Sequence, residues 1–401
     1  MGATRKITLA RLITVTATTV LAFAGSAGIA MADTPSIVNV AQAEAMPAPT
    51  KDASTTGGGS VLAAFGDSFS AGEGTNSYLP GTDLPGTNMC HRSTLAYSQL
   101  LAKDLGITSE AFDACSGGVT ADLFAPNNNA NLDANGVPES AQLCQTDSDD
   151  GIQACTPGRE PALGPDTKYV TLTIGGNDAG LAKVVQSCVF GSVDGHLVEL
   201  PGRGCRYDAA TVEHTAARIA ALAGVGKDTS PYGSDVHPIS QVLAAIHQVA
   251  PNAHVYIAGY PRVFQPTVDR DCVVGSLDVA GRAVPLQIAP DDAKTLDDTA
   301  DALDDVIRSA AQKDSAWASY VDPVPAFTGH GLCTDSSWIN QISATATVDL
   351  DNRTLDLSLD KGSLHPSVRG QAGYESAFLA SVKPRGLATP CGRGTGPRTR
   401  W

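Results

Sequence analysis

Five short apolar runs, alternating with helical patterns along much of the chain, constrain it more than any other feature. They are Val61–Phe65, Ala111–Cys115, Tyr169–Ile174, His254–Ala258 and Tyr320–Val324. A strand that is apolar at consecutive positions is buried on both faces, so its sheet needs a layer on each side. Helical spacing runs through Ser93–Leu105, Thr211–Leu222, Ile239–Val249, Asp291–Gln312 and Pro366–Val382. The pattern predicts one three-layer α/β/α domain over residues 61–383, built on a five-stranded parallel sheet. Ala344–Leu350 and Thr354–Leu359 do alternate, around Asp351-Asn352, and predict a hairpin inserted before the last helix. In parallel sheets of this kind, reactive groups gather beyond the C-terminal strand ends.

The two ends of the chain read differently. Arg5, Lys6 and Arg11 precede an apolar stretch that closes on Ala30-Met31-Ala32, the form of a signal peptide over residues 1–32. That stretch is diluted by Thr, Ser and Gly, and no later segment approaches the ~18 apolar residues of a membrane span. Residues 33–60 are rich in Pro, Ala, Ser, Thr and Gly and read as a flexible linker. Residues 384–401 read as a basic disordered tail. The expected product is a secreted monomer with no stable membrane anchor.

Charge narrows the partners. The chain carries 27 Lys and Arg against 42 Asp and Glu, a net −15. Seven of those bases lie in the two end segments, which hold no acid, so the body between them is more acidic still. Phosphate neutralisation needs clustered cations, which excludes nucleic acid as a partner.

Secretion also changes how the nine cysteines read. In an oxidising compartment they pair. Spacing favours local pairs: Cys90–Cys115, Cys144–Cys155, Cys188–Cys205 and Cys272–Cys333, leaving Cys391 odd in the tail. A zinc site is the rival reading, but the chain has no CxxC or HxxxH spacing. No metal and no cofactor are expected.

Chemistry gathers at the strand ends. Gly66-Asp67-Ser68 follows the first strand directly, placing a serine hydroxyl at a strand-to-helix turn. A lone serine there is most often a helix N-cap. This one has company. The second strand runs into Cys115-Ser116-Gly117-Gly118, and the third into Gly175-Gly176-Asn177-Asp178. A backbone N–H at Gly117 and a side-chain amide at Asn177 both suit a developing oxyanion. Near the C-terminus, His365-Pro366 opens the last helical pattern, with the proline expected at its first position.

In that order these motifs resemble the SGNH (GDSL-type) hydrolases, in their secreted bacterial esterase and lipase branch, over residues 61–383. The segment YVDPVPAFTGHGLC at 320–333 is similar to one common in that branch. The resemblance implies sheet order 2-1-3-4-5. It also implies Ser68 as nucleophile, His365 as base, and Ser68, Gly117 and Asn177 as oxyanion donors. Asp67 and Asp178 read as structural. Glu73 and Asn76 either line the site or form a polar first helical turn.

One position departs from the pattern. The family commonly has an acid three residues before the histidine, where this chain has Gly362. The imidazole still needs an acceptor for its second N–H. Either the Gly362 carbonyl or the Asp360 carboxylate supplies it, and the short reach favours the carbonyl. The other histidines form no ligand spacing with one another and are assigned no role.

The expected function is hydrolysis of a carboxylic ester, lipid or short acyl, through an acyl-enzyme on Ser68. Deacetylation of an acetylated polysaccharide uses the same machinery and is the alternative. A secreted binding protein that has lost activity is the third reading, prompted only by the missing acid.

Overall fold

Strand β1 (Leu62–Gly66) is buried at every position, as a run without alternation requires. It pairs in parallel with β2 (Glu110–Phe112) on one side and with β3 (Tyr169–Thr173) on the other. Strand β4 (His254–Ala258) extends the sheet beyond β3. Two further strands, β5 (Cys272–Val279) and β6 (Arg282–Ile288), leave the sheet before β7 (Ala318–Val321) closes its edge. The order β2-β1-β3-β4-β7 is 2-1-3-4-5 when only the five strands of this sheet are counted.

The structure is a computed structural model. It describes residues 59–382 apart from 127–139, 147–150, 157–158, 191, 194–195, 198–204, 206–208, 266 and 350–353. The expected signal peptide, the tail with Cys391 and all but the last two residues of the linker lie outside the described residues.

Successive residues of each strand go to opposite sides. Leu62 and Ala64 join Tyr256 and Ala258 in one apolar cluster. Helices α2 (Tyr97–Leu105) and α8 (Val368–Val382) cover it with Tyr97, Leu101, Tyr374 and Phe378. Ala63 and Phe65 join Val170, Leu172, Val255 and Ile257 in the other cluster. Helices α5 (Ala209–Leu222), α6 (Ile239–Val249) and α7 (Pro290–Lys313) close that face with Leu222, Val242, Leu243, Leu303 and Ile307. Further helical segments among the described residues sit at the strand ends or beside them. Among these, α1 (Ser68–Ala71) follows β1, while α3 (Gly176–Ala179) and α4 (Leu181–Phe190) follow β3.

A second sheet was only half expected. Strands β8 (Ile342–Asp349) and β9 (Thr354–Leu359) form the predicted antiparallel hairpin. Strands β5 and β6 form another, and β5 runs parallel to β8, giving the order β9-β8-β5-β6. The β5–β6 turn escaped sequence reading because Ala280, at φ +51°, precedes Gly281, at φ +81°. Such turns normally announce themselves with Asn-Gly or Asp-Gly, since alanine rarely takes positive φ.

Several element limits shift, the helix expected from Ser93 starting at Tyr97 among them, and three of the shifts have plain local reasons. Strand β2 stops at Phe112 because the next two amides, of Asp113 and Ala114, converge on the single carbonyl of Ala64. Strand β7 stops at Val321, before Pro323, which has no N–H to donate. Helix α8 starts at Val368, so Pro366 is not its first residue. Pro366 bridges to Ile339, and the Ser367 hydroxyl accepts the Gly370 amide at 3.4 Å as the cap.

The sulfurs of Cys90 and Cys115, Cys144 and Cys155, Cys188 and Cys205, and Cys272 and Cys333 lie at disulfide distance. The last pair ties β5 to the loop after β7 across 61 residues. On the loop-entropy argument, replacing both Cys272 and Cys333 with serine should lower the unfolding free energy by about 4 kcal/mol. Denaturant unfolding of the double variant measures this, and a loss below about 1 kcal/mol would contradict it.

Candidate active site

The turn that carries Ser68 is shaped by Gly66. Its φ is +117°, and a Cβ there would fall 2.1 Å from the Thr173 carbonyl oxygen. Only glycine lets β1 run this close to β3 at its last residue. Gln142 pins the same glycine, accepting its N–H at 2.6 Å and donating to its carbonyl at 2.9 Å. Asp67 then caps α1, its carboxylate accepting the Phe69 amide at 3.0 Å and the Thr173 hydroxyl at 2.7 Å. Burial pushes the Asp67 carboxyl up to about 6, against the pull of these donors. Its role here is to hold the turn.

Ser68 begins α1 and is 7% exposed. Its Oγ lies 2.7 Å from Nε2 of His365, across 297 residues of sequence. The ring's other nitrogen, Nδ1, lies 3.0 Å from the carbonyl oxygen of Ser363. A carbonyl only accepts, so Nδ1 carries the hydrogen and Nε2 presents its lone pair to the Ser68 hydroxyl. Phe69 packs against the imidazole with ring centroids 5.1 Å apart.

The partner of His365 is thus neither of the two expected groups. The Gly362 carbonyl accepts the His365 backbone amide at 3.2 Å and the Asn340 side-chain amide at 3.3 Å. The Asp360 carboxylate turns back onto the Gly362 N–H at 2.8 Å. Residues 360–363 form a tight turn, and this turns the Ser363 carbonyl toward the ring. Asn340 clamps the turn from outside, donating to Gly74 at 2.9 Å and, through its backbone, to the His365 carbonyl at 2.9 Å.

Ser68, Gly117 and Asn177 line one cavity. The backbone N–H groups of Ser68 and Gly117 have no protein acceptor among the described residues. Gly117 has φ +81°, and no atom lies within 4 Å of where its Cβ would be. The Asn177 amide donates one hydrogen to the Gly118 carbonyl at 2.9 Å, which orients the second. Asp178 points the other way, accepting the backbone and hydroxyl of Thr120 at 2.9 Å and 2.6 Å.

Glu73, read from sequence as a possible lining residue, is 1% exposed and belongs to a buried network. It accepts from the Ser116 hydroxyl at 2.5 Å and lies 2.5 Å from Nδ1 of His91. His91 Nε2 lies 3.2 Å from Asp83. Burial works against the Glu73 carboxylate, yet His91, His365 and Ser116 together hold it below the usual carboxylate range. The network fixes Ser116, the residue before Gly117. Nothing in the spacing of Glu73, Asp83, His91 and Ser116 shows that they meet. Asn76 is exposed, and His330 stacks on Trp338, away from the dyad.

A cavity of about 530 Å³ opens on the dyad. Leu181 and Val185 of α4, Val263, Leu296 of α7, Ile342 of β8 and Leu359 of β9 line it. The second sheet therefore supplies part of the pocket wall.

A Ser–His pair with convergent donors, beyond the C-terminal edge of a 2-1-3-4-5 parallel sheet, defines an SGNH-type ester hydrolase. The chain belongs to the GDSL-like Lipase/Acylhydrolase family, whose model matches residues 64–372. It is 26% identical over 339 residues to Lipase 1 of Streptomyces coelicolor, covering 84% of this chain and 92% of that one. It is 28% identical over 314 residues to a lipase of Streptomyces rimosus, covering 78% and 82%. The structure of phospholipase A1 from Streptomyces albidoflavus NA297 superposes with a TM-score of 0.53 at 27% identity, covering 80% of this chain and 99% of that one.

Two outcomes follow from the histidine's surroundings. Burial lowers the His365 pKa, with Glu73 and the Ser363 carbonyl opposing. A histidine that accepts a serine proton must be neutral, so in that role activity would rise with pH through the His365 pKa. The acid limb of kcat/KM should therefore have its midpoint below the ordinary imidazole value of about 6.5. Asp360→Asn should leave kcat within about threefold of wild type, whereas loss of a triad carboxylate costs about 10⁴. Steady-state kinetics of the variant distinguishes the two.

Proposed function

We propose that the protein is a secreted lipase or esterase that cleaves esters of medium or long acyl chains through an acyl-enzyme on Ser68. The observation that carries this reading is the 2.7 Å Ser68–His365 contact at the mouth of an apolar cavity of about 530 Å³. Neutral His365 takes the Ser68 proton as Oγ attacks the ester carbonyl. The negative oxygen forms between the Ser68 and Gly117 amides and the Asn177 side chain. His365 returns the proton to the leaving alcohol, then activates the water that releases the acid. Each turnover regenerates the dyad with no cofactor.

The apolar walls favour a lipid-like acyl chain over an acetyl group, which would leave Leu181, Leu296 and Leu359 without contacts. The complete dyad and donor set argue against a binding protein. The relatives named as lipases and a phospholipase A1 point the same way. The N-terminal segment, with its basic start and small-residue close, supports export.

The test is a rate series on p-nitrophenyl esters from acetyl to palmitoyl, with acetylated xylan beside it. Octanoyl and longer esters should give the highest kcat/KM, and Ser68→Ala should lose at least about 10³-fold. A maximum at acetate, with turnover of the xylan, would move the assignment to a deacetylase. Full activity in Ser68→Ala would overturn the nucleophile.

A further inference from the structure

Tyr260 follows β4 by two residues, on a strand end that supplies no member of the dyad or the oxyanion hole. It is buried, 4% exposed, and its hydroxyl sits between the Ser68 and Asn177 turns, two of the three that supply oxyanion donors in the reading above. The Gly176 amide donates to that hydroxyl at 2.9 Å. The phenol has one hydrogen, and it goes to Oδ2 of Asp67. Asp67 immediately precedes Ser68, and Gly176 immediately precedes Asn177. One oxygen atom therefore links the residue before one donor to the residue before another.

The ring is held so that this link is stiff. The Tyr260 backbone N–H donates to Asp304 of α7 at 2.8 Å, fixing the residue from behind. Phe69 meets the ring edge-on with centroids 5.1 Å apart. A Cβ on Gly176 would lie 3.0 Å from both Cζ and the hydroxyl oxygen of Tyr260, so glycine at 176 lets the phenol approach this closely. Asp67 is 1% exposed, so solvent has little access to replace the phenol hydrogen.

We infer that Tyr260 is a positioning residue for the reaction: its hydroxyl sets the spacing between the Ser68 amide and the Asn177 amide, and so the fit of the oxyanion hole. This rests on the acyl-enzyme reading above. Both donors act on an oxygen whose charge develops only in the transition state, so a change in their spacing alters kcat before it alters substrate binding. A displacement of about 1 Å at such a site costs on the order of 10²-fold.

The experiment is a double-mutant cycle of Tyr260→Phe and Asn177→Ala, read as kcat and KM on an octanoyl ester well below the melting temperature, with Ser68→Ala alongside. Tyr260→Phe keeps the ring and should lower kcat about 10–100-fold with KM within about twofold. In the Asn177→Ala background, where the amide that Tyr260 spaces from Ser68 is gone, the same change should cost less than about threefold. A Tyr260→Phe variant with a lowered melting temperature but wild-type kcat overturns the inference, as do fully multiplicative effects. If Tyr260→Phe does not fold, Gly176→Ala, which presses a methyl group on the same hydroxyl, must show the kcat loss and its disappearance beside Asn177→Ala. Activity retained in Ser68→Ala would instead refute the acyl-enzyme reading, so the two failures are separable.

Discussion

The approach of β1 to β3 at Gly66 governs this site. Because residue 66 lacks a side chain, the Thr173 carbonyl takes the space where a Cβ would stand and accepts the Asp67 amide at 3.0 Å. The Thr173 hydroxyl then reaches the Asp67 carboxylate from the same strand end. Any side chain at 66 would separate the strands where the Ser68 turn leaves the sheet. Ser68, the Asn177 turn and Tyr260 would lose their common reference.

Around that anchor, polar groups are placed where water has little access. Asp67 and Glu73 are nearly inaccessible, and each is satisfied by several donors, as buried carboxylates must be. One supports the Ser68 turn and the other the Gly117 loop. The Cys90–Cys115 bridge runs beside the second support and joins His91's neighbour to the residue before Ser116. In contrast, the imidazole is oriented by a neutral carbonyl. A carbonyl fixes the tautomer, while burial lowers the pKa of His365 against the pull of Glu73 and of that same carbonyl.

The second sheet explains how one chain joins this chemistry to an apolar pocket. Its β8 and β9 contribute Ile342 and Leu359 to the wall, while the turn after β9 delivers Ser363 and His365. The element that orients His365 thus also shapes the apolar cavity. The parallel pairing of β5 with β8 holds it in place.

Much of this was legible in the amino-acid order. The five strands showed because burial on both faces leaves consecutive apolar residues, and β4 runs over His254–Ala258 as read. Ser68, Gly117, Asn177 and His365 stood out because each lies at a strand end or helix approach with small or special neighbours. Tertiary structure alone decided the rest. Ser363, not Gly362 or Asp360, meets the imidazole because the 360–363 turn is set by Asn340 and β8, contacts that local sequence does not encode. Glu73 with His91, and Tyr260 with Asp67, are ordinary polar residues until the sheet brings them together. The sequence determined which residues were available for chemistry, through short-range patterns of burial and backbone freedom. Their partners were decided by long-range packing, which joins residues as far apart as 67 and 260 and leaves no periodic trace in the chain.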